Sequence, residues 1–364
     1  MMKTAVQTRA RTWLAIVVVV PLLLAGVRQK RASKAQRESA TSLPAVIWRD
    51  PGDVSKLNLF YGAGGKSDAP DPNGHFVFIK EDMEGTSPKF DVRDDRGRTW
   101  KVKLGPEARP ETAATRLVWA AGYFVDEDYF VPELKVENLP KLRRGRKFVS
   151  RDGMVHGARL ELRRKDIRKL GNWDWYYNDF TGTRELNGLR TMMCLINNWD
   201  LKAVNNSVYE IGRERRYVVT DLGASFGKTG NYLKRSKGVP RDYLRSPFIV
   251  RLEPGHVDFV MHSRPFFPMK LHARAYAERA RMESIAKDIP VADARWIGRI
   301  LAGLTPGQLR DCFRAAGYDD EATAVYVRKV QERIQALTQL QASGGKSVRR
   351  DPNSQKTEIP VPKT

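Results

Sequence analysis

Two cysteines in 364 residues make no disulfide framework. Cys194, in the apolar run from Leu189 to Ile196, and Cys312, in a helical pattern, are expected to be packed and unpaired. The chain has no zinc-finger spacing, no RNA-recognition signature and no internal repeat, so its basic charge points to no specific nucleic-acid motif. A complete phosphate loop is also missing: Gly64-Gly65-Lys66-Ser67 imitates one, but Phe60 stands where glycine is required, and the stretch reads as a turn. Acidic residues are absent from positions 1–35, which carry seven of the basic groups behind the formal charge of +22.

What is present is enough for a folded, two-part body. A hydrophobic content of 41% excludes disorder throughout, and the length supports two lobes or domains. The cationic excess favours anionic partners such as nucleotide phosphates or an anionic membrane surface met through the basic segments. Thr12 to Val27 is uncharged and mostly apolar, which predicts a signal peptide or signal anchor within 1–35. Ser33-Lys34-Ala35 is a poor cleavage site, which favours an anchor, and basic residues at both flanks assign no side of the membrane. Residues 36–56 are polar and proline-containing and read as a linker; the Gly-, Ser-, Lys- and Pro-rich residues 341–364 read as a disordered tail.

The chemistry begins with a meander. Phe76 to Lys80, Lys89 to Arg93 and Arg98 to Leu104 are strand patterns joined by turns. The first loop holds Gly85, Thr86 and Ser87, whose backbone N–H groups and hydroxyls suit phosphate contact. Lys101 and Lys103 share one face of the third strand because the side-chain period is two. Lys103, the last polar residue before Leu104-Gly105, is the candidate to reach phosphate. Pro110-Glu111 opens a helical pattern through Val118, placing Glu111 in the first turn, where it can pair with Lys103 or favour the helix dipole.

A second constellation follows a helical stretch that starts near Arg184. Asp200 precedes Asn205, and Asp221-Leu222-Gly223 comes after a predicted hairpin of Val208 to Glu210 and Tyr217 to Thr220. A hairpin returns Asp221 to the neighbourhood of Asn205. Phosphoryl transfer requires such a set: an acidic group facing the attacking hydroxyl, and an amide oxygen with a carboxylate to hold magnesium against the nucleotide.

In this order the motifs resemble the small lobe and catalytic region of HipA-type serine/threonine kinases, with phosphoinositide kinases more distant. The resemblance covers roughly residues 75–230. It implies a two-lobed α+β protein-kinase-like fold, with an antiparallel-sheet small lobe over 57–135 and a mainly helical large lobe over 136–340. It further implies Lys103 on the α/β-phosphates of magnesium ATP, Glu111 as its partner, Asp200 as base or hydroxyl-orienting group, and Asn205 and Asp221 as metal ligands. The acceptor is then a hydroxyl of a protein, lipid or small molecule. Asn198-Trp199 stands where protein kinases carry His-Arg, and Leu222 where they carry phenylalanine.

Two other readings compete. A membrane-tethered pseudokinase would keep the fold as a nucleotide- or partner-binding scaffold and lose turnover. A serine hydrolase would use Ser225 in Gly223-Ala224-Ser225-Phe226-Gly227, with His256, His262 or His272 as base, but no apolar helical face follows Gly227. The cations from Lys228 through Lys234, Arg235, Lys237 and Arg241 to Arg245 read as a solvated loop or as a surface for acidic head groups. The Trp173 to Asn178 cluster reads as aromatic packing around a turn at Asp174.

Overall fold

The computed structural model describes residues 42–229, 235–261 and 273–341. The expected anchor at 12–27, Lys234, His262, His272 and residues 342–364 lie outside them. Among the described residues no helix is long and apolar enough to cross a membrane.

In chain order the strands are β1 (Ala45–Val46), β2 (Phe76–Asp82), β3 (Lys89–Asp94), β4 (Thr99–Leu104), β5 (Phe124–Val125), β6 (Asp128–Glu137) and β7 (Met154–Arg163), then β8 (Arg168–Gly171), β9 (Asn206–Ile211), β10 (Glu214–Val219), β11 (Ile249–Glu253), β12 (His256–Phe259) and β13 (Ile289–Pro290). The helices are α1 (Ala108–Ala120), α2 (Arg184–Leu195), α3 (Pro240–Arg245), α4 (Ala273–Ser284), α5 (Val291–Ala302), α6 (Pro306–Ala315) and α7 (Asp320–Thr338). A sheet-built first lobe is thus followed by a helix-rich second lobe, the two-lobed kinase-like α+β class that the motif order implies.

The meander β2-β3-β4 forms in antiparallel register, and β7 and β6 close it into a barrel through a parallel pairing of Phe76 and Val77 with Val136 and Glu137. The sheet of the first lobe therefore runs past residue 135 to Arg163. Alternation along β4 decides the site: Trp100, Val102 and Leu104 fill the barrel, so Thr99, Lys101 and Lys103 face outward. α1 packs on the neighbouring strands β6 and β7, and Lys103, which its Glu111 meets, is buried.

A second sheet, β1-β10-β9-β8 with β5 also on β10, stands beside the barrel. Its centre is the expected hairpin, drawn tighter than its sequence suggests. β9 and β10 pair as far as Ile211 and Glu214, leaving Gly212 and Arg213 as the turn, with Gly212 at φ 62°. Ser42 to Lys56, the described part of the 36–56 stretch, packs into the body. Ala45 and Val46 pair with Arg215 and Arg216, Ile47 and Val54 are buried, and Trp48 Nε1 donates to the Ala121 carbonyl at 2.8 Å. Sparse apolar residues among polar neighbours are enough for one half-buried edge strand.

The large core is assembled from α2, α5, α6 and α7 with the inner residues of the second sheet. Thr183 caps α2, and Thr305 with Gln308 forms a reciprocal capping box on α6. Cys194 and Cys312 are both buried and free. Asp174 Oδ1 accepts from the Tyr176 N–H at 2.9 Å, a local turn inside the aromatic cluster, and pairs with Arg281.

Candidate active site

The Lys103 ammonium is the centre of the charged site. Its Nζ lies 2.7 Å from Glu107 Oε2, 2.8 Å from Glu111 Oε2 and 3.3 Å from Asp221 Oδ1. The strand supplies the lysine, the start of α1 the two glutamates, and the end of the hairpin the aspartate. One side chain therefore ties the barrel lobe to the second sheet.

Burial opposes the ammonium's charge, but the carboxylates of Glu111, Asp221 and Glu107 overcome it and raise the Lys103 pKa above its ordinary value. Burial acts on Glu111 in the opposite sense from its cationic neighbours Arg159 and Lys103, and prevails, pushing its pKa up to about 7. For Glu107 the attraction of Lys103 and Lys237 outweighs burial and holds the pKa down at about 2.

Behind this centre lies a second charged layer between α1 and the barrel. Arg159 reaches Glu111 at 3.6 Å, Asp128 at 2.5 Å and Glu161 at 3.0 Å; Asp128 also binds Thr115 at 2.8 Å and Arg116. Buried ion pairs return little net stability after desolvation, so a set this large, held on a helix that packs by small apolar residues, argues for a demand other than folding. It fixes Glu111, and through it Lys103.

The Asp200 loop starts where α2 ends. Asn198 Oδ1 accepts from the Asp200 N–H at 3.1 Å, Lys202 Nζ pairs with Asp200 Oδ1 at 2.8 Å, and Asn205 Nδ2 donates to the Asp200 carbonyl at 2.7 Å. These bonds leave Asp200 Oδ2 and Asn205 Oδ1 without hydrogen-bond partners among the described residues. The Thr220 N–H donates to the Asn205 carbonyl at 3.1 Å, and the Phe226 N–H to that of Ile196 at 2.8 Å. The two acidic motifs are thereby laced together along their main chains. Among the described residues Asp200 and Asn205 share no hydrogen bond or ion pair with the Lys103 centre; Asp221 pairs with Lys103, and its neighbour Thr220 binds the Asn205 carbonyl.

The loop after β2 contributes unevenly. Ser87 Oγ donates to Glu107 Oε2 at 2.7 Å and so reaches the charged centre. Gly85 and Thr86 are exposed; the Gly85 carbonyl accepts from Arg144 Nη1 at 2.6 Å. Arg144, which also holds the Asp82 carbonyl, fixes the loop.

Glu107 and Lys202 are additional to the sequence reading, and Lys237, read there as one of a run of loop or head-group cations, pairs with Glu107 Oε1. Lys202 was legible as the cation two positions after Asp200. Glu107 lies in the break between strand and helix, where neither period applies, and Lys237 reaches the site only through the course of the chain after Asp221. Glu107, Glu111 and Asp221 each offer one carboxylate oxygen within 4.8 Å of the others, a donor set that suits a hard divalent cation. Gly223 is needed for close approach: a Cβ there would stand 2.7 Å from Glu107 Cβ.

A cavity of about 570 Å³ lies between the barrel and the second sheet, lined by Asp126, Glu161, Lys169, Tyr209 and Val218 among others and by none of Lys103, Glu107, Glu111 and Asp221. Arg159, bound to both Glu111 and Glu161, links the cavity wall to the Lys103 centre.

Ser225 does not form a nucleophile elbow. It is fully buried, its hydroxyl has no hydrogen-bond partner among the described residues, and His256 is exposed at the start of β12. The hairpin that leads to Ser225 is antiparallel, where an elbow needs a strand–helix crossover.

No family model matches the chain, and no curated protein matches it. Among solved structures it is similar to the Helicobacter pylori proinflammatory kinase CtkA, with 10% identity over 72% of this chain and 96% of that one and a TM-score of 0.41. It is similar to the Golgi casein kinase, at 9% identity, 74% and 72% coverage and a TM-score of 0.35. The amicoumacin kinase hAmiN, solved with AMP-PNP, Ca2+ and Ami, aligns at 10% identity over 74% and 91% with a TM-score of 0.23. TM-scores of this size leave these as likenesses.

Proposed function

We propose that this chain is an ATP-dependent phosphotransferase that delivers a phosphoryl group to a hydroxyl acceptor on a protein, lipid or small molecule. The observation that carries the reading is the contact of Lys103 with both Glu111 and Asp221, which brings a phosphate-binding cation and a metal-binding carboxylate from separate lobes to one point.

In this reading the nucleoside lies in the cavity beside Glu161 and its phosphates extend toward Lys103. Glu111, held by Arg159, aims the ammonium. Asp200 accepts the proton of the acceptor hydroxyl at its unpaired Oδ2, while Lys202 holds the opposite oxygen and fixes the carboxylate's orientation. Asp221 and the unpaired Oδ1 of Asn205 would hold a magnesium ion, which when bound screens the phosphate charge. Asn205 also braces the Asp200 carbonyl, so metal and base positions are set by one side chain. Anionic acceptors suit the net charge of +22.

The test is a thermal-shift titration of the full chain with ATP and magnesium, followed by a turnover assay. Binding by the folded state raises the midpoint, and Asp221→Asn and Lys103→Met abolish the rise. An unchanged midpoint at saturating nucleotide removes the reading. Binding without phosphate release or transfer would identify a nucleotide-binding scaffold instead.

A further inference from the structure

Three donors that suit a phosphate converge on one carboxylate of the protein itself. Ser87 Oγ, from the loop after β2, and Lys103 Nζ, from β4, both meet Glu107 Oε2 at 2.7 Å; Lys237 Nζ, from the chain beyond Asp221, meets Oε1. Each comes from a different stretch of chain. Glu107 is mostly buried at this junction.

Besides pairing with Lys103 and Lys237, Glu107 serves no helix-capping role. Glu107 occupies the residue before α1, yet its side chain makes no capping hydrogen bond to the helix, where a capping carboxylate would bind the first N–H groups. The carboxylate instead turns to the cleft, and only a glycine at 223 leaves room for it there. A hydroxyl and two ammonium groups around one anion is the donor set that a terminal phosphate oxygen recruits.

We infer that Ser87, Lys103 and Lys237 form the anion site for the terminal phosphates of the nucleotide, and that Glu107 is an internal plug occupying that site until phosphate displaces it. The inference rests on the phosphotransferase reading and adds two elements to it. Lys237 is a third phosphate ligand, delivered by the segment after Asp221. Glu107 is an autoinhibitory contact rather than a metal ligand. Displacement frees all three donors together, so phosphate binding also releases the Lys237 segment from α1.

Metal-free inorganic tripolyphosphate, titrated calorimetrically into the full chain at pH 8, isolates the anion site from the metal. Glu107→Gln is expected to tighten its binding at least tenfold. Lys237→Gln is expected to weaken binding about tenfold, and Glu107→Gln with Lys237→Gln to lose most of the gain. Glu111→Gln removes a neighbouring charge without opening the site and is expected to give less than a threefold gain. An equal gain from Glu111→Gln would reduce the effect to a general field and overturn the plug. An unchanged or weaker affinity in Glu107→Gln overturns it too. Weaker magnesium ATP binding in Glu107→Gln, with tripolyphosphate unaffected, would make Glu107 a metal ligand. If wild type binds magnesium ATP in an Asp221-dependent way and Glu107→Gln shows no gain, the plug alone fails. If neither protein binds tripolyphosphate or magnesium ATP, the phosphotransferase reading fails with it.

Discussion

Asn205 donates its side-chain amide to the main-chain carbonyl of Asp200 across 2.7 Å, closing the loop between them with a single bond. The donor is spent, so the amide oxygen is the atom left to face the site. A loop closed in this way needs no histidine or arginine before the aspartate. Asn198 fills part of that place by accepting from the Asp200 N–H, and its side chain is wholly buried.

Replacing Asn205 separates the two duties. Asn205→Ala loses both the brace and the oxygen, and phosphoryl transfer is expected to fall by about 10²-fold or more, a loss of about 2.7 kcal/mol in transition-state stabilisation. Asn205→Asp keeps an oxygen but replaces the donor with a second acceptor facing the Asp200 carbonyl. Its rate should lie between the two, with a raised magnesium requirement. Steady-state kinetics across magnesium concentrations checks both, and wild-type turnover in Asn205→Ala would remove the residue from the mechanism.

Lys103 is held by three carboxylates, so its removal leaves them facing one another. Breaking a buried ion pair by deleting one partner costs about 3–5 kcal/mol. Lys103→Met is therefore expected to lower the melting temperature as well as to abolish nucleotide binding. Adding Glu111→Gln to it removes part of the stranded charge and should recover part of the lost stability. Chemical denaturation of the two single variants and the double variant supplies the cycle, and simple additivity would show that Lys103 and Glu111 are not coupled.

The three meander strands, the hairpin and the Lys103–Glu111 contact were legible because they follow from period-two alternation, turn residues and a helix start, which are all local signals. The rest depends on folding at a distance. β7 closes the barrel against β4, and no local pattern in Met154 to Arg163 names its partner. Lys237 reads as one cation among many until the chain brings it back to Glu107. Arg159 lies on a strand whose alternation marks it as an outward residue, and only the docking of α1 makes that surface an interior.

The raised pKa of Glu111 gives stability a defined pH dependence. Its ordinary value of 4.5 moves to about 7 in the folded protein, so the native state holds a proton that the unfolded chain has released. Stability from this group is complete below pH 4.5 and is lost as pH rises through about 7. Glu111→Gln carries no such titration. The stability of wild type relative to Glu111→Gln should therefore be greater at pH 5 than at pH 8, measured by urea denaturation at fixed ionic strength. A difference that grows with pH would place the ionised carboxylate's pairing with Lys103 and Arg159 above its desolvation.

Arg333 is a buried cation with no carboxylate among its hydrogen-bond partners. From α7 its Nη1 donates to the carbonyls of Cys194 and Leu195 and to Asn197 Oδ1, at 3.1, 2.7 and 2.8 Å. Its Nη2 donates to Ser246 Oγ at 2.7 Å and to the carbonyls of Ser246 and Pro247. The faces of Tyr243 and Phe248 lie 4.6 and 4.9 Å away. Both terminal nitrogens of the guanidinium are used and the Nε is left without a partner among the described residues, so the planar fork is what lets one side chain hold both the end of α2 and the turn after α3. Lysine has a single nitrogen and cannot span the two. Arg333→Lys is therefore expected to destabilise almost as much as Arg333→Met, each by more than about 2 kcal/mol, since both strand buried carbonyls. The amide protons of Asn198 and Phe226, bonded to the Met193 and Ile196 carbonyls, should exchange faster in both variants, because α2's last turn sets the start of the Asp200 loop. Rescue by lysine would show that charge, rather than the fork, is what this position supplies.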